Sequence, residues 1–191
     1  MRDQNAKGQT SQKRGGFISR IFGASQEQSA ATTQESVVVY EIVISPMKGK
    51  VVPLSTVKDE AFSSGALGKG VAIIPTEGKV FAPHSGTLTN VFPTGHALGI
   101  TSENGVETLI HVGQDTVKLK GQHFTPKAVQ GQHINKGDLL LEFDAMAIEA
   151  AGFSLITPII ISNTADVSKI EINIAENSDV DFNQHLMTVT I

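Results

Sequence analysis

The chain contains no cysteine, no tryptophan and a single tyrosine, Tyr40. Without thiols there is no disulfide scaffold and no thiolate nucleophile. A non-catalytic sugar-binding module would call for exposed Trp or Tyr, and that class is poorly served here. No apolar run approaches the roughly 20 residues of a membrane-spanning helix, and the first residues lack a signal-peptide pattern. A cytoplasmic location is therefore expected. Positive charge is also short, and a net charge of −4 argues against nucleic acid as a partner.

What is present suffices for one domain with a core and a tail to spare: 191 residues, 40% of them apolar. Residues 1–36 differ from the rest, with six Gln, many Ser, Thr and Ala, and little apolar content. Five basic against three acidic side chains leave this stretch at +2, so the remainder carries −6. The composition predicts a flexible tail or linker over 1–36 and a folded domain over 37–191. Inside the tail, Phe17, Ile18, Ile21 and Phe22 fall at helical spacing beside basic residues. That is the pattern of a short membrane-surface helix over residues 15–23.

From Val37 onward the pattern is β. Short β-branched runs recur between Gly and Pro: Val37–Ser45, Gly49–Leu54, Val71–Pro75, Lys79–Ala82, Gly86–Phe92, Ala97–Thr101, Val106–His111, Leu139–Phe143, Thr157–Ser162, Lys169–Ile174 and Leu186–Ile191. Such spacing predicts an all-β antiparallel sandwich or barrel. Only Ala145–Ala151 and Lys127–Gln130 read as brief helical turns. An internal echo adds a two-part organisation: Ile44–Val51 parallels Phe81–Leu88, each a Pro-x-x-Gly corner leading into a strand.

The chemistry concentrates between residues 94 and 115. Asn104-Gly105 between two apolar runs predicts a β-hairpin. If Asn104-Gly105 is a two-residue loop, His111 faces Leu98 and lies diagonal to His96. If Glu103-Asn104 is the loop, His96 faces His111 directly. Both registers put the two rings on one face, with Cβ atoms roughly 5–8 Å apart, whereas an odd register shift would separate them. Two facing imidazoles can bind a metal, relay a proton or carry a phosphoryl group.

The motif Gly-Val-Glu-x-Leu-Ile-His-Val-Gly-x-Asp-Thr-Val-x-Leu-x-Gly, from Gly105 to Gly121, resembles the signature of the glucose-class enzyme IIA. Enzyme IIA is a phosphoryl carrier of the bacterial sugar phosphotransferase system. Phe92–Ala97, Phe-Pro-Thr-Gly-His-Ala, is similar to the same family's first histidine segment, and the likeness covers about residues 40 to 191. The resemblance implies a duplicated hybrid-motif β fold. It implies that His111 accepts phosphate from phospho-HPr and passes it to a cysteine of enzyme IIB, with His96 as the second histidine. Thr94 would orient His96, and the backbone of Gly113 would fix His111. Asp59, Phe62 and Asp115 match partner contacts. No cofactor is required, although some relatives bind zinc at an interface, with a ligand from a partner added to the two histidines. A monomer, regulatory targets and a lipid-touching N-terminal segment complete what the resemblance implies. Phe92-Pro93-Thr94 and Ala150-Ala151-Gly152-Phe153 look closest to IIA domains fused to β-glucoside or sucrose transporters.

Rival readings carry less. Gly131–Glu142 resembles the half-motif of biotinyl and lipoyl carriers, but no lysine occurs between Lys136 and Lys169 to hold their cofactor. A zinc-dependent β-fold hydrolase usually needs a close His-x-His pair and a carboxylate, and no two of the six histidines stand two apart. A regulatory binding module built on His96 and His111 is the remaining alternative. His84, His123, His133 and His185 each stand alone and are expected as solvated surface residues.

Overall fold

β-Branched runs punctuated by Gly and Pro give short strands that pair antiparallel throughout. The computed structural model describes residues 38–191. The tail expected over 1–36 and the amphipathic stretch 15–23 lie outside the described residues. The strands are β1 (Tyr40–Ile44), β2 (Gly49–Pro53), β3 (Lys69–Pro75), β4 (Lys79–Phe81), β5 (Gly86–Val91), β6 (Ala97–Ser102), β7 (Glu107–His111), β8 (Phe124–Pro126), β9 (His133–Ile134), β10 (Leu139–Phe143), β11 (Thr157–Ile161), β12 (Lys169–Ile172), β13 (Asp179–Val180) and β14 (His185–Thr190). Two short helices, α1 (Glu60–Ser63) and α2 (Ala145–Ala150), interrupt them.

The large sheet runs β13-β2-β3-β11-β7-β6-β5-β9, and two small sheets, β1-β14-β12 and β4-β10-β8, accompany it. The large sheet has free ends at β13 and β9, so the expected choice between sandwich and barrel resolves to a β-sandwich. Its inward face supplies Leu88, Leu98, Ile100, Ile110 and Ile159 to the main core. Val43, Met187 and Val189 come from one small sheet, and Val80, Leu141 and Phe143 from the other. β11 is buried along its whole length, as expected for a strand covered on both faces.

A second, smaller cluster occupies the other face of the large sheet. Val52 pairs with Ala72, and Ile160 with Leu109, so these side chains alternate with the main core's. Val57 and Phe62 cover them from the 54–63 segment. That segment is pinned by Asp59, which caps α1 by accepting a hydrogen bond from the Ala61 N–H at 2.9 Å.

The two echoing corners meet in space. The Ile44 N–H donates to the Pro83 carbonyl at 2.9 Å, and the Phe81 N–H donates to the Pro46 carbonyl at 2.8 Å. Position 44 corresponds to 81, and 46 to 83, so the two bonds are equivalents exchanged by a local two-fold relation. Elsewhere the expectation fails in detail. Lys127–Gln130 is not helical, whereas the turn expected over Ala145–Ala151 is the helix α2, Ala145–Ala150. Asp144 caps that helix by accepting from the Ala147 N–H at 3.0 Å.

Candidate functional site: two facing imidazoles

Both expected hairpin registers are corrected. β6 and β7 pair with Ala97 opposite His111 and Thr101 opposite Glu107, halfway between the two alternatives. The loop has three residues: the Gly105 N–H bonds to the Ser102 carbonyl at 3.0 Å, and the Ser102 N–H to the Val106 carbonyl at 2.8 Å. Gly105 takes φ 84, and Asn104 keeps a negative φ, so only the glycine uses the left-handed region. By pleat alternation alone this register would send His96 to the face opposite His111. The rings nevertheless meet, with centroids 4.7 Å apart and planes at 87°.

The reason is that His96 lies just outside β6, in a bend. Gly95 at φ 68 closes a turn by donating its N–H to the Phe92 carbonyl at 2.7 Å. A side chain on Gly95 would press on Phe124 and Pro126 of β8. The strand thus begins only at Ala97, and although the His96 carbonyl still accepts from the Val112 N–H at 2.8 Å, the bend brings the His96 ring to His111. Thr94, in the same turn, holds His96 by a 2.6 Å hydrogen bond between its Oγ1 and the ring Nδ1.

His111 ends β7, and its Nδ1–H donates to the Gly113 carbonyl at 2.9 Å. A carbonyl only accepts, so the proton sits on Nδ1 and Nε2 keeps its lone pair. Gly113 adopts φ 72, and a Cβ there would collide with the Ser154 carbonyl oxygen at 2.7 Å and Thr116 Cγ2 at 2.6 Å.

Both rings are held neutral. Burial pushes His96 down to about 4, and the adjacent His111 adds repulsion to a charged ring. Burial also lowers His111, opposed by the Gly113 carbonyl and by the carboxylates of Asp59 and Asp115. Phe62 lies 5.3 Å from the His111 ring and Phe92 lies 5.7 Å from His96, forming two apolar walls. Phe62 is 5% exposed, its surface divided between His111 and the cluster of Val52, Val57, Ala72 and Ile160. Asp59 and Asp115 are exposed, and Asp115 pairs with Lys118 at 3.0 Å. Three neighbours escaped sequence reasoning: Gln114, whose Nε2 is buried without a hydrogen-bond partner, and the buried Thr116 and Thr157. Thr116 stands within the Gly105–Gly121 motif, but its bond to Val112 does not show in it, and Thr157 meets the Gly113 N–H across 44 residues of sequence.

The other histidines divide. His123, His133 and His185 are exposed as expected. His84 is not: it is 1% exposed, with Nε2 2.8 Å from Thr108 Oγ1 and Nδ1 3.1 Å from the Ser85 carbonyl. As metal ligands, His96 and His111 fall short by themselves. Among the described residues no group of three or more His, Cys, Asp or Glu converges to hold an ion.

The chain is similar to the glucose permease IIA from Mycoplasma capricolum, with a TM-score of 0.71 and 34% identity over 78% of this chain and 96% of that one. It is 52% identical over 138 residues to the PTS system β-glucoside-specific EIIBCA component of Halalkalibacterium halodurans, covering 72% of this chain and 22% of that protein. The corresponding component of Dickeya chrysanthemi is 51% identical over 131 residues, covering 69% of this chain and 21% of that protein. The chain thus spans about a fifth of the length of these relatives. Residues 41–167 match the family model of the phosphoenolpyruvate-dependent sugar phosphotransferase system, EIIA 1. The chain belongs to this family, and with it to the phosphotransferase components of sugar uptake.

Proposed function

We propose that His111 is the phosphoryl-carrying residue, accepting the group from phospho-HPr and passing it to a cysteine of enzyme IIB. The observation that carries this reading is the asymmetric bonding of two neutral rings. His111 has its Nδ1 proton committed to a carbonyl, which leaves Nε2 as a lone-pair nucleophile. The Nε2–P bond forms as the donor's bond to phosphorus breaks, and the donor group leaves with the electron pair. Little covalent chemistry is left to the protein, so positioning and charge stabilisation dominate. We assign the Thr94 hydroxyl as donor to His96 Nδ1 across their 2.6 Å contact, which places the His96 proton on Nε2, facing the phosphoryl oxygens. Asp59 and Asp115 offer carboxylates at the rim to a basic partner surface, and Phe62 offers the partner the remaining edge of its ring.

The carrier domain is assigned to 37–191, the segment 1–36 being set apart from it by composition alone. No cofactor enters the mechanism; zinc would need at least one further ligand from a partner beside His96 and His111. Because the relatives named above are β-glucoside-specific EIIBCA components, the enzyme IIB and IIC served here are assigned to that transporter type. Supplying phosphoenolpyruvate, enzyme I and HPr tests the reading. The protein should gain one acid-labile, base-stable phosphate, also after exhaustive chelation. Failure to label, or labelling restored only by zinc, would sink it.

A further inference from the structure

The peptide unit that fixes His111 is itself held on every side. Its carbonyl, that of Gly113, accepts the His111 Nδ1–H, and its N–H, that of Gln114, donates to the Ser154 carbonyl at 2.9 Å. The chain thus carries a relay of two hydrogen bonds through one peptide plane, in which each bond polarises the other. The preceding peptide is gripped as well. The Gly113 N–H points to Thr157 Oγ1 at 3.4 Å, and the Thr157 hydroxyl donates to the Leu155 carbonyl at 2.7 Å. On the other side the Thr116 hydroxyl donates to the Val112 carbonyl. Neither threonine exposes any surface.

Packing alone does not account for these two residues. Thr157 opens β11, whose other residues are Pro158, Ile159, Ile160 and Ile161. Valine would fill the same volume there without burying a hydroxyl, a group that costs free energy unless it is bonded. Because the Thr157 proton is committed to Leu155, the oxygen turns a lone pair toward the Gly113 N–H, and the rotation of the 112–114 backbone is set. Ser154 and Thr116 also line this backbone so closely that no side chain would fit at position 113.

We propose that Thr157, seconded by Thr116, is a positioning residue for phosphoryl transfer. It holds the Val112–Gly113 peptide, while Ser154 holds the next one through the Gln114 N–H, so that the Gly113 carbonyl takes the Nδ1 proton of His111 and leaves Nε2 unprotonated. Neither threonine touches the reacting atoms. The inference rests on His111 as the phosphoryl acceptor, but its structural half can be read without any transfer.

The test uses Thr157→Val, Thr157→Ser and Thr116→Val in the full chain. Nitrogen-15 ring correlations of unphosphorylated protein report the His111 tautomer with no partner present. Wild type and Thr157→Ser should show the Nδ1–H form. Thr157→Val should show a mixture of the two tautomers, while His96 keeps its own. In the HPr-driven assay Thr157→Val should be labelled about 10- to 100-fold more slowly, the range expected for a misaligned nucleophile, with the loss in the transfer rate rather than in the donor's apparent KM. Should Thr157→Val not fold, Thr116→Val read the same way decides. A variant with a lower melting temperature, an unchanged His111 tautomer and a labelling rate within twofold of wild type would reduce the threonines to packing and overturn the proposal. If wild type itself takes no phosphate, the carrier reading falls, and the tautomer measurement still decides whether the threonines hold this peptide.

Discussion

Two regions of this domain bury histidine, and they do so for opposite ends. At the β4–β5 corner, His84 spends both ring nitrogens inside the chain, on Thr108 and on the Ser85 carbonyl. At the β6–β7 end, His96 and His111 each spend one nitrogen, on Thr94 and on Gly113, and keep the other. Burial lowers all three rings, so neither burial nor a shifted titration separates the two regions. The hydrogen-bond account does. A ring with both nitrogens paired fastens a corner, and a ring with one nitrogen free has something left to give a substrate.

Substitution sharpens that contrast. His111→Gln should take up no phosphate from HPr, because the accepting nitrogen is gone and no other histidine shares its position. Mass spectrometry at neutral pH should find the wild-type label on His111; a label on His96 would reverse the assignment. His96→Gln should still be labelled but should pass the group to enzyme IIB about 10²–10³ times more slowly, the usual loss for one oriented stabiliser. Single-turnover transfer to enzyme IIB measures this.

His84→Leu should do the reverse. It leaves the buried Thr108 hydroxyl without its partner, which costs about 1–3 kcal/mol of stability in urea unfolding. Labelling at 25 °C should stay near wild type. Lost labelling in a folded His84→Leu protein would break the comparison.

The pH dependence follows from the same burial. In the unfolded chain these histidines titrate near 6.5. Their folded values are lower, so the unfolded state binds protons first as pH falls. Stability is therefore complete above about pH 6.5 and is lost progressively below it, the His96 share continuing down to about pH 4. Urea midpoints at pH 7.5, 6 and 5 should decline, and less steeply in His84→Leu. The smallest effect is expected at Gln114, whose buried amide nitrogen has no partner. Gln114→Leu should be neutral or stabilising by up to about 1 kcal/mol, with labelling unchanged.

Much of this was legible in the sequence, but not always for the reason first given. Short β-branched runs disclosed the sandwich, and the spacing of His96 and His111 disclosed their pairing. The register behind that pairing was misjudged, because Gly105 alone enters the left-handed region and lengthens the loop to three residues. The bend at Gly95 and His96 then restored the contact that the register would have undone. His84 read as a surface residue since its partner Thr108 is 24 positions away. The strands β8, β9 and β13 and the helix α1 are two to four residues long, too short for any periodicity to show. Thr116 and Thr157 show nothing of their role until the Val112–Gly113 peptide, next to the carbonyl on which His111 depends, is seen bonded to both.

The pairing of Tyr40 with Thr190 also sets a clock. β1 is the first strand of the domain to be made, yet its strand neighbour in the sheet is β14, about 150 positions downstream. At about 5–20 residues per second, the nascent chain carries β1 for roughly 8–30 s before its mate exists. Val38, Val39, Tyr40 and Ile42 remain solvent-exposed even after docking, so during that wait the segment is an open apolar edge. Closure of this small sheet is consequently a late step driven by a contact distant in sequence, the kind that forms slowly and leaves nascent chains prone to edge-to-edge association.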